Sequence, residues 1–395
     1  MTYQHGISVI EVAGAARSLA TIATLTIGFV ATGPAADAAA FPLNVPVKIQ
    51  ASGILAAIDK AGATGTLRGV LLAISDLVRV PIVVVRVAPG GDAEETDENV
   101  IGGNTDGVKT GMQALLSAET QLGLKPRIIG APGLDTQPVA TALAVIATKL
   151  RGMGYARAIG DTIAELIAYR AGFTQRELML IAPDFKVMDA LGNVTTSFAA
   201  ARALGLRARI DAEMGWHKTL SNVPVEGVVG TTEDIEFDFQ SVDTEANQLN
   251  EAGITTIVRI NGTLRFWGSR TCADPANDVT KDFQFESATR TAQIIADTIA
   301  YGMLWAIDKP LTPGLARDIV EQINEKFRQL SRGGFILGAE SWFDPARNAI
   351  DDLKAGKLTI SYKYTPVPPL ENLQLRQEIT DEYLADFAEI VAAAA

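Results

Sequence analysis

The sequence predicts an α/β domain whose mostly parallel sheet has helices on both faces, then a C-terminal α+β domain, with extended arms at both ends. Three observations carry this. Between residues 19 and 255 short β-branched runs alternate with helical patterns, the order that builds a parallel sheet. From 256 to 368 the pattern changes to a hairpin, two long helices and further strands. Residues 1–18 and 369–395 hold alternating apolar residues with too little around them to make a core.

The elements follow in order. LATIATLTIGFVATG is apolar like the core of a secretory signal, and ADAAA follows it like a cleavage site. Residues 1–18, however, contain Glu11 and a single full positive charge, Arg17, and the apolar run is too short to span a bilayer. It reads as a buried strand. VPVKI is a strand, followed by helical GILAAIDKAG and LRGVLLAISDL, then PIVVVRV, an unbroken run typical of a strand buried on both faces. The acidic stretch GGDAEETDENV reads as a solvated loop. Helix GMQALLSAETQLG, strand PRIIGAPG, helix VATALAVIATKLRGMG, strand ARAIGD, helix IAELIAYRAGF, strand LMLIAPDF and helix FAAARALGLRARIDAE complete the first domain. ITTIVRI and TLRFWGSR, joined by Asn261-Gly262, form a hairpin assigned to the second domain. Of the two helices that follow, the second opens with Thr312 as N-cap and Pro313 at the first position, and stops at Gly333-Gly334. Its apolar stripe, Leu315, Ile319, Ile323, Phe327 and Leu330, leaves Arg317, Arg328 and Arg332 on the remainder. FILGAESWF and KLTISYKYTPV are the closing strands.

Composition and motifs weigh against chemistry. With 46 acidic and 34 basic residues the net charge is −12, unsuited to binding nucleic acid through its phosphates. One cysteine, Cys272, and two distant histidines, His5 and His217, offer neither a disulfide framework nor a metal cluster. In GGNTDGVKTG, Val108 separates Gly107 from Lys109, so the phosphate-loop pattern fails. No G-x-S-x-G elbow exists, and no G-x-G-x-x-G follows a strand. No catalytic, cofactor or metal residues are assigned. An enzyme would turn first to His217, Asp184 and Lys109, and a soluble α/β hydrolase-like enzyme stands as the alternative function.

The ends are more informative. Ile7 and Val9, with Glu11 beside them, alternate as a strand at the amino end. Near the other end Pro366, Pro368 and Pro369 stiffen the chain, and Leu373, Leu375 and Ile379 then alternate with polar residues such as Arg376. A lone strand cannot satisfy its own backbone groups, so each must add to this subunit's sheet or to another's.

HGISVIEV, GWHKTLSNVPVEGVVG, AGITTIVRINGTLRFWGSRT, TRTAQIIADTIAYGMLWAIDKPLT and KLTISYKYTPVPPLENLQLRQEIT resemble, in order and along essentially the whole chain, the sheath proteins of contractile-tailed bacteriophages and of R-type bacteriocins. The resemblance implies a structural subunit of the virion tail, assembled in the host bacterial cytoplasm, polymerising with copies of itself as stacked six-membered rings around an inner tube. It implies that the α/β domain faces outward, that the C-terminal α+β domain lies near the tube, and that both arms donate strands to neighbours. Baseplate and tail terminator are further expected partners; no cofactor, nucleic acid or membrane insertion is expected. Contraction from a metastable extended lattice would drive the tube through the host envelope, held back by a kinetic barrier rather than powered by bound ATP. The helix from Pro313 to Arg332 is the expected tube-facing element.

Overall fold

The computed structural model describes residues 19–394 apart from 190 and 385. The expected strand of Ile7, Val9 and Glu11 lies outside these. In chain order the strands are β1 Ile27–Thr32, β2 Pro46–Ile49, β3 Ile82–Val87, β4 Asn104–Thr105, β5 Val108–Lys109, β6 Ile128–Gly130, β7 Met153–Arg157, β8 Leu178–Ile181, β9 Phe185–Met188, β10 Val194–Ser197, β11 Gly230–Thr231, β12 Ile254–Ile260, β13 Thr263–Trp267, β14 Ile336–Phe343 and β15 Ile360–Pro366. The helices are α1 Ile54–Lys60, α2 Leu67–Ser75, α3 Ala93–Ile101, α4 Ala118–Leu122, α5 Gln137–Leu150, α6 Ile163–Arg170, α7 Ala199–Glu213, α8 Glu245–Glu251, α9 Glu286–Gly302, α10 Pro313–Arg332, α11 Ile350–Lys354 and α12 Phe387–Ala393.

Eight strands form one sheet in the order β13-β12-β8-β7-β6-β1-β3-β2. The six inner strands run parallel; β13 and β2 close the edges antiparallel. Alternation along β1 shows why it sits inside the sheet, between β6 and β3. Ile27, Phe29 and Ala31 enter one core with α2 and α7, while Val30 enters the other with α5. A strand with apolar residues on both faces is stable only between two layers. The apolar run near the amino end is therefore an interior strand of the sheet, and the mixed, largely parallel fold read from the sequence holds.

Three expectations change. The hairpin β12–β13 belongs to the large sheet and not to the C-terminal unit. Residues 254–258 of β12 are all buried, so the strand takes a two-faced position beside β8, and Phe266 of β13 packs edge-on against Phe185 at 5.3 Å. Asn261 and Gly262 both adopt positive φ, as this tight turn demands. The acidic stretch is not a loop. Asp92 accepts a hydrogen bond from the Glu95 N–H at 2.8 Å, and Glu94 and Glu95 favour the positive end of the helix dipole, so α3 forms. Third, β9, β10 and β11 make a small antiparallel sheet where only the end of a strand was expected.

The C-terminal unit gathers α9, α10 and the β14–β15 pair round Ile294, Ile295, Ile319, Ile323, Phe327, Leu330 and Ile336, with Trp216 entering from the α/β body. Thr312 caps α10 by accepting from the Leu315 N–H at 3.2 Å. The other side of α9, Glu286, Arg290, Gln293 and Asp297 at helical spacing, is buried and polar against the body. Glu286 accepts from the Tyr155 hydroxyl, from Arg207 at 3.2 Å and from the Leu220 N–H at 3.2 Å. Arg290 donates to Asp211 and Gln293 to the Gly152 carbonyl at 2.9 Å. Asp297 receives Lys125 at 3.1 Å, Arg127 at 2.6 Å and Arg151. Burial alone would raise the Glu286 carboxyl, but Arg207, Arg290 and the tyrosine hydroxyl outweigh it and hold it below the usual carboxylate range. Burial likewise opposes, and Arg127 and Lys125 overcome, at Asp297.

Candidate assembly surface

Past β15, Pro366, Pro368 and Pro369 remove backbone donors, and the ladder with β14 ends at Pro366. Glu371 then ties the chain to the body, accepting from the Ser269 hydroxyl at 2.7 Å and pairing with Arg270 at 2.9 Å. Beyond it residues 372–380 form no helix or ladder. Leu373, Leu375 and Ile379 are 68%, 83% and 92% exposed, so none of the described residues covers them. Among the described residues the strand expected here pairs with no sheet edge. Arg376 in the same segment is exposed. After a short turn, α12 leaves Phe387, Ile390 and Val391 exposed as well. Among the described residues β14 and β15 pair only with each other, so each keeps one open edge.

Arg317, Arg328 and Arg332 are exposed on α10, as expected, but they are not three free cations. Arg328 binds Glu321 and Glu325, each at 2.7 Å, because spacings of seven and three residues stack these side chains on one face. Arg317 donates to the Pro313 carbonyl at 3.4 Å and makes no ion pair among the described residues. Arg332 has no ion-pair partner among the described residues.

The residues an enzyme would use are scattered. Lys109 sits in the small β4–β5 hairpin. Asp184 accepts from the Ala199 N–H at 2.7 Å, closing the start of α7, and faces Arg157 at 3.4 Å. The His217 ring stands edge-on to Phe335 at 4.9 Å, and burial, reinforced by Arg207, lowers its pKa. No hydrogen bond or ion pair joins the three. Cys272 is buried, and the described residues contain no cluster of three His, Cys, Asp or Glu suited to a metal. Among the described residues no helix is long and apolar enough to cross a membrane.

Sequence reasoning missed Glu371 as the anchor and the charged stripe of α9. The stripe had a readable signal: in ESATRTAQIIADTIA the charges fall at helical spacing on one side and the isoleucines on the other.

Residues 107–272 match the phage tail sheath protein central domain, and residues 278–380 the phage tail sheath C-terminal domain. Over 98% of both chains the sequence is 51% identical to the tail sheath protein of Escherichia phage P2. This chain belongs to the phage tail sheath protein family. A second sheath relative, the major tail sheath protein of Serratia phage KSP20, is 44% identical over 98% of each chain. The sheath fold extends to contractile systems of low identity. The contracted helical sheath of the anti-feeding prophage superposes with a TM-score of 0.71 at 18% identity, covering 96% of this chain and 99% of that one. The contracted sheath of the extracellular contractile injection system PVC gives 0.71 at 16%, covering 97% and 99%. These sheath relatives are structural proteins and not enzymes, so the hydrolase-like alternative has no support.

Proposed function

We propose that this sheath protein polymerises as six-membered rings stacked helically around an inner tube, and that contraction from a metastable extended lattice drives the tube through a host envelope. In this reading the α/β body, hairpin β12–β13 included, faces outward and the C-terminal unit lies toward the tube. Baseplate and tail terminator bound the polymer; one of the similar solved structures is the anti-feeding prophage baseplate.

The observation that carries the reading is the segment 372–380, which leaves its anchor at Glu371 with apolar side chains uncovered and backbone groups unpaired. Nine extended residues reach at most about 30–32 Å, enough to cross to an adjacent subunit. An added strand of perhaps five ladder bonds contributes about 0.5–1.5 kcal/mol per bond, with burial of Leu373 and Leu375 besides. One such link is modest. Ile7, Val9 and Glu11 belong to a matching arm at the other end, so each subunit gives two links and receives two. Links used together reinforce one another through effective concentration, and the mesh stays connected while the folded bodies move. Electron microscopy of the purified protein tests this: tubes or stacked rings are expected, and small closed oligomers alone would refute it.

A further inference from the structure

Charge, more than apolar area, joins the C-terminal unit to the α/β body. Of the buried apolar cluster in that unit, Trp216 is the one member from the body among the described residues, stacked on Phe335 with ring centroids 4.5 Å apart. The joint that α9 makes is polar and buried. Glu286 meets Arg207 of α7 at 3.2 Å, the Tyr155 hydroxyl of β7 and the charge of Arg290 one turn along α9, with the Lys218 ammonium also acting on it. Asp211 of α7 pairs with Arg207 at 2.8 Å and with Arg290, and His217 lies within its field. Asp297 holds Lys125, Arg127 and Arg151, and the Tyr301 hydroxyl, bound to Glu119, feels its charge. The side chains of all three acids are fully buried, and so nearly are Arg127, Arg207 and Arg290.

Acid acts on one side of these pairs only. A carboxylate loses its charge on protonation, whereas a guanidinium keeps its own. Three paired cations then become buried charges without a counter-charge, which opening the joint to water relieves. The C-terminal unit can open as a body, because its apolar cluster is built from its own α9, α10 and β14. The α/β body responds to acid in the opposite sense at two sites. Burial raises the pKa of Asp135 to about 6 and raises that of Asp184, so mild acid favours the folded body there.

We propose that α9 is an acid latch: protonation of Glu286, Asp211 and Asp297 undocks the C-terminal unit while the α/β body stays folded. Burial pushes the Glu286 and Asp297 carboxyls up, but Arg207 and Arg290 at the first and Arg127 and Lys125 at the second outweigh it and hold both below the usual range. Groups depressed in the docked state contribute fully above their ordinary pKa and lose that contribution as pH falls through the docked one. The latch is therefore closed above about pH 4.5 and opens as pH falls below about 4.

Trp216 reports on the joint, because it is 5% exposed and its stacking partner belongs to the other unit. In the full-length, unpolymerised subunit its emission is isolated by subtracting the spectrum of Trp216→Phe, and pulsed hydrogen exchange at the same pH values reads β3 and α5. Trp216 emission is expected to shift to the red below about pH 4 while β3 and α5 keep their protection. Glu286→Gln keeps the shape without the charge and is expected to raise the midpoint by about one pH unit. Arg151→Gln, at the half-exposed member of the Asp297 site, is expected to raise it by less. Glu325→Gln, on the exposed face of α10, is expected to leave it unmoved. Loss of protection in β3 and α5 together with the Trp216 shift would show one cooperative unit and overturn the latch. So would a Trp216 signal unchanged until the body unfolds, or a midpoint that Glu325→Gln moves as far as the joint variants do. Should Glu286→Gln fail to fold, Arg151→Gln against Glu325→Gln decides.

Discussion

Asp135 shows how one residue sets a pH dependence without any chemistry. It is buried, accepts from the Gly133 and Arg157 N–H groups, and burial pushes its pKa up to about 6, with Asp184 adding to the rise. The native state therefore holds this proton more tightly than the unfolded chain does, so the stability tied to Asp135 falls as pH rises from about 4 to about 6. By pH 7 the ionised group costs about 3 kcal/mol. Asp135→Asn cannot ionise. Relative to the parent, the variant is expected to gain about that amount between pH 4 and pH 7 in urea denaturation, whatever its absolute stability; an unchanged difference would show that Asp135 titrates normally. Among the enzyme-like residues, His217→Ala and Lys109→Ala are expected to leave sheath assembly intact, read by sedimentation. Asp184→Ala is expected to cost about 1–2 kcal/mol of subunit stability, because it uncaps α7.

At the scale of elements, legibility followed burial. Strands with continuous β-branched runs, such as β3, and the capped, striped α10 were plain from the sequence, because propensity, periodicity and tertiary packing agree in them. Where two signals competed, the reading failed. The charges of α3 looked like solvated loop, although Asp92 and Glu95 are helix-starting residues. The hairpin β12–β13 was placed in the wrong unit because sheet partners are set by non-local packing that no local pattern states. The arm stood out for the opposite reason: Leu373, Leu375 and Ile379 alternate with polar residues yet are exposed, with no core of described residues to receive them. Helix α9 joins the two units through charges on one face and isoleucines on the other, and Glu286→Ala would leave Arg207 without one of its two carboxylates. A loss of about 3–5 kcal/mol is expected, against less than about 0.5 kcal/mol for Glu325→Ala on the exposed face of α10; equal effects in thermal unfolding would deny the stripe its role. Glu286 and Asp297 both have depressed pKa values, so their contribution is complete above the ordinary carboxylate range and disappears as acid protonates them. On α10, charge reversal at Arg317 and Arg332 is expected to weaken co-assembly with the inner tube and to spare tube-free polysheath. The effect at Arg328 is expected to be smaller on the tube and larger on the helix, since that side chain already serves Glu321 and Glu325. A helical reconstruction with α10 on the outer surface would end this idea.

For the whole molecule the claim is that a stable folded body carries its connections outside itself. The sheet of the body is covered on both faces, and its buried charges are largely paired. In the proposed reading the segment 372–380 takes its cover from a neighbour. Backbone pairing is indifferent to side chains unless it is blocked, and this separates two substitutions at a single exposed residue. Leu375→Ala removes about 1.5–3 kcal/mol of apolar burial in the assembled lattice and leaves the ladder intact. Leu375→Pro removes a donor and bends the strand, and a helical polymer repeats that defect in every subunit. Because Leu375 touches little of its own body, neither change is expected to alter the melting of the monomer. The measurement is sedimentation of each variant under polymerising conditions, beside its monomer melt. The account predicts that alanine forms sheath that dissociates at lower temperature or altered salt, while proline stays a folded, soluble subunit that does not polymerise; normal sheath from Leu375→Pro would contradict it.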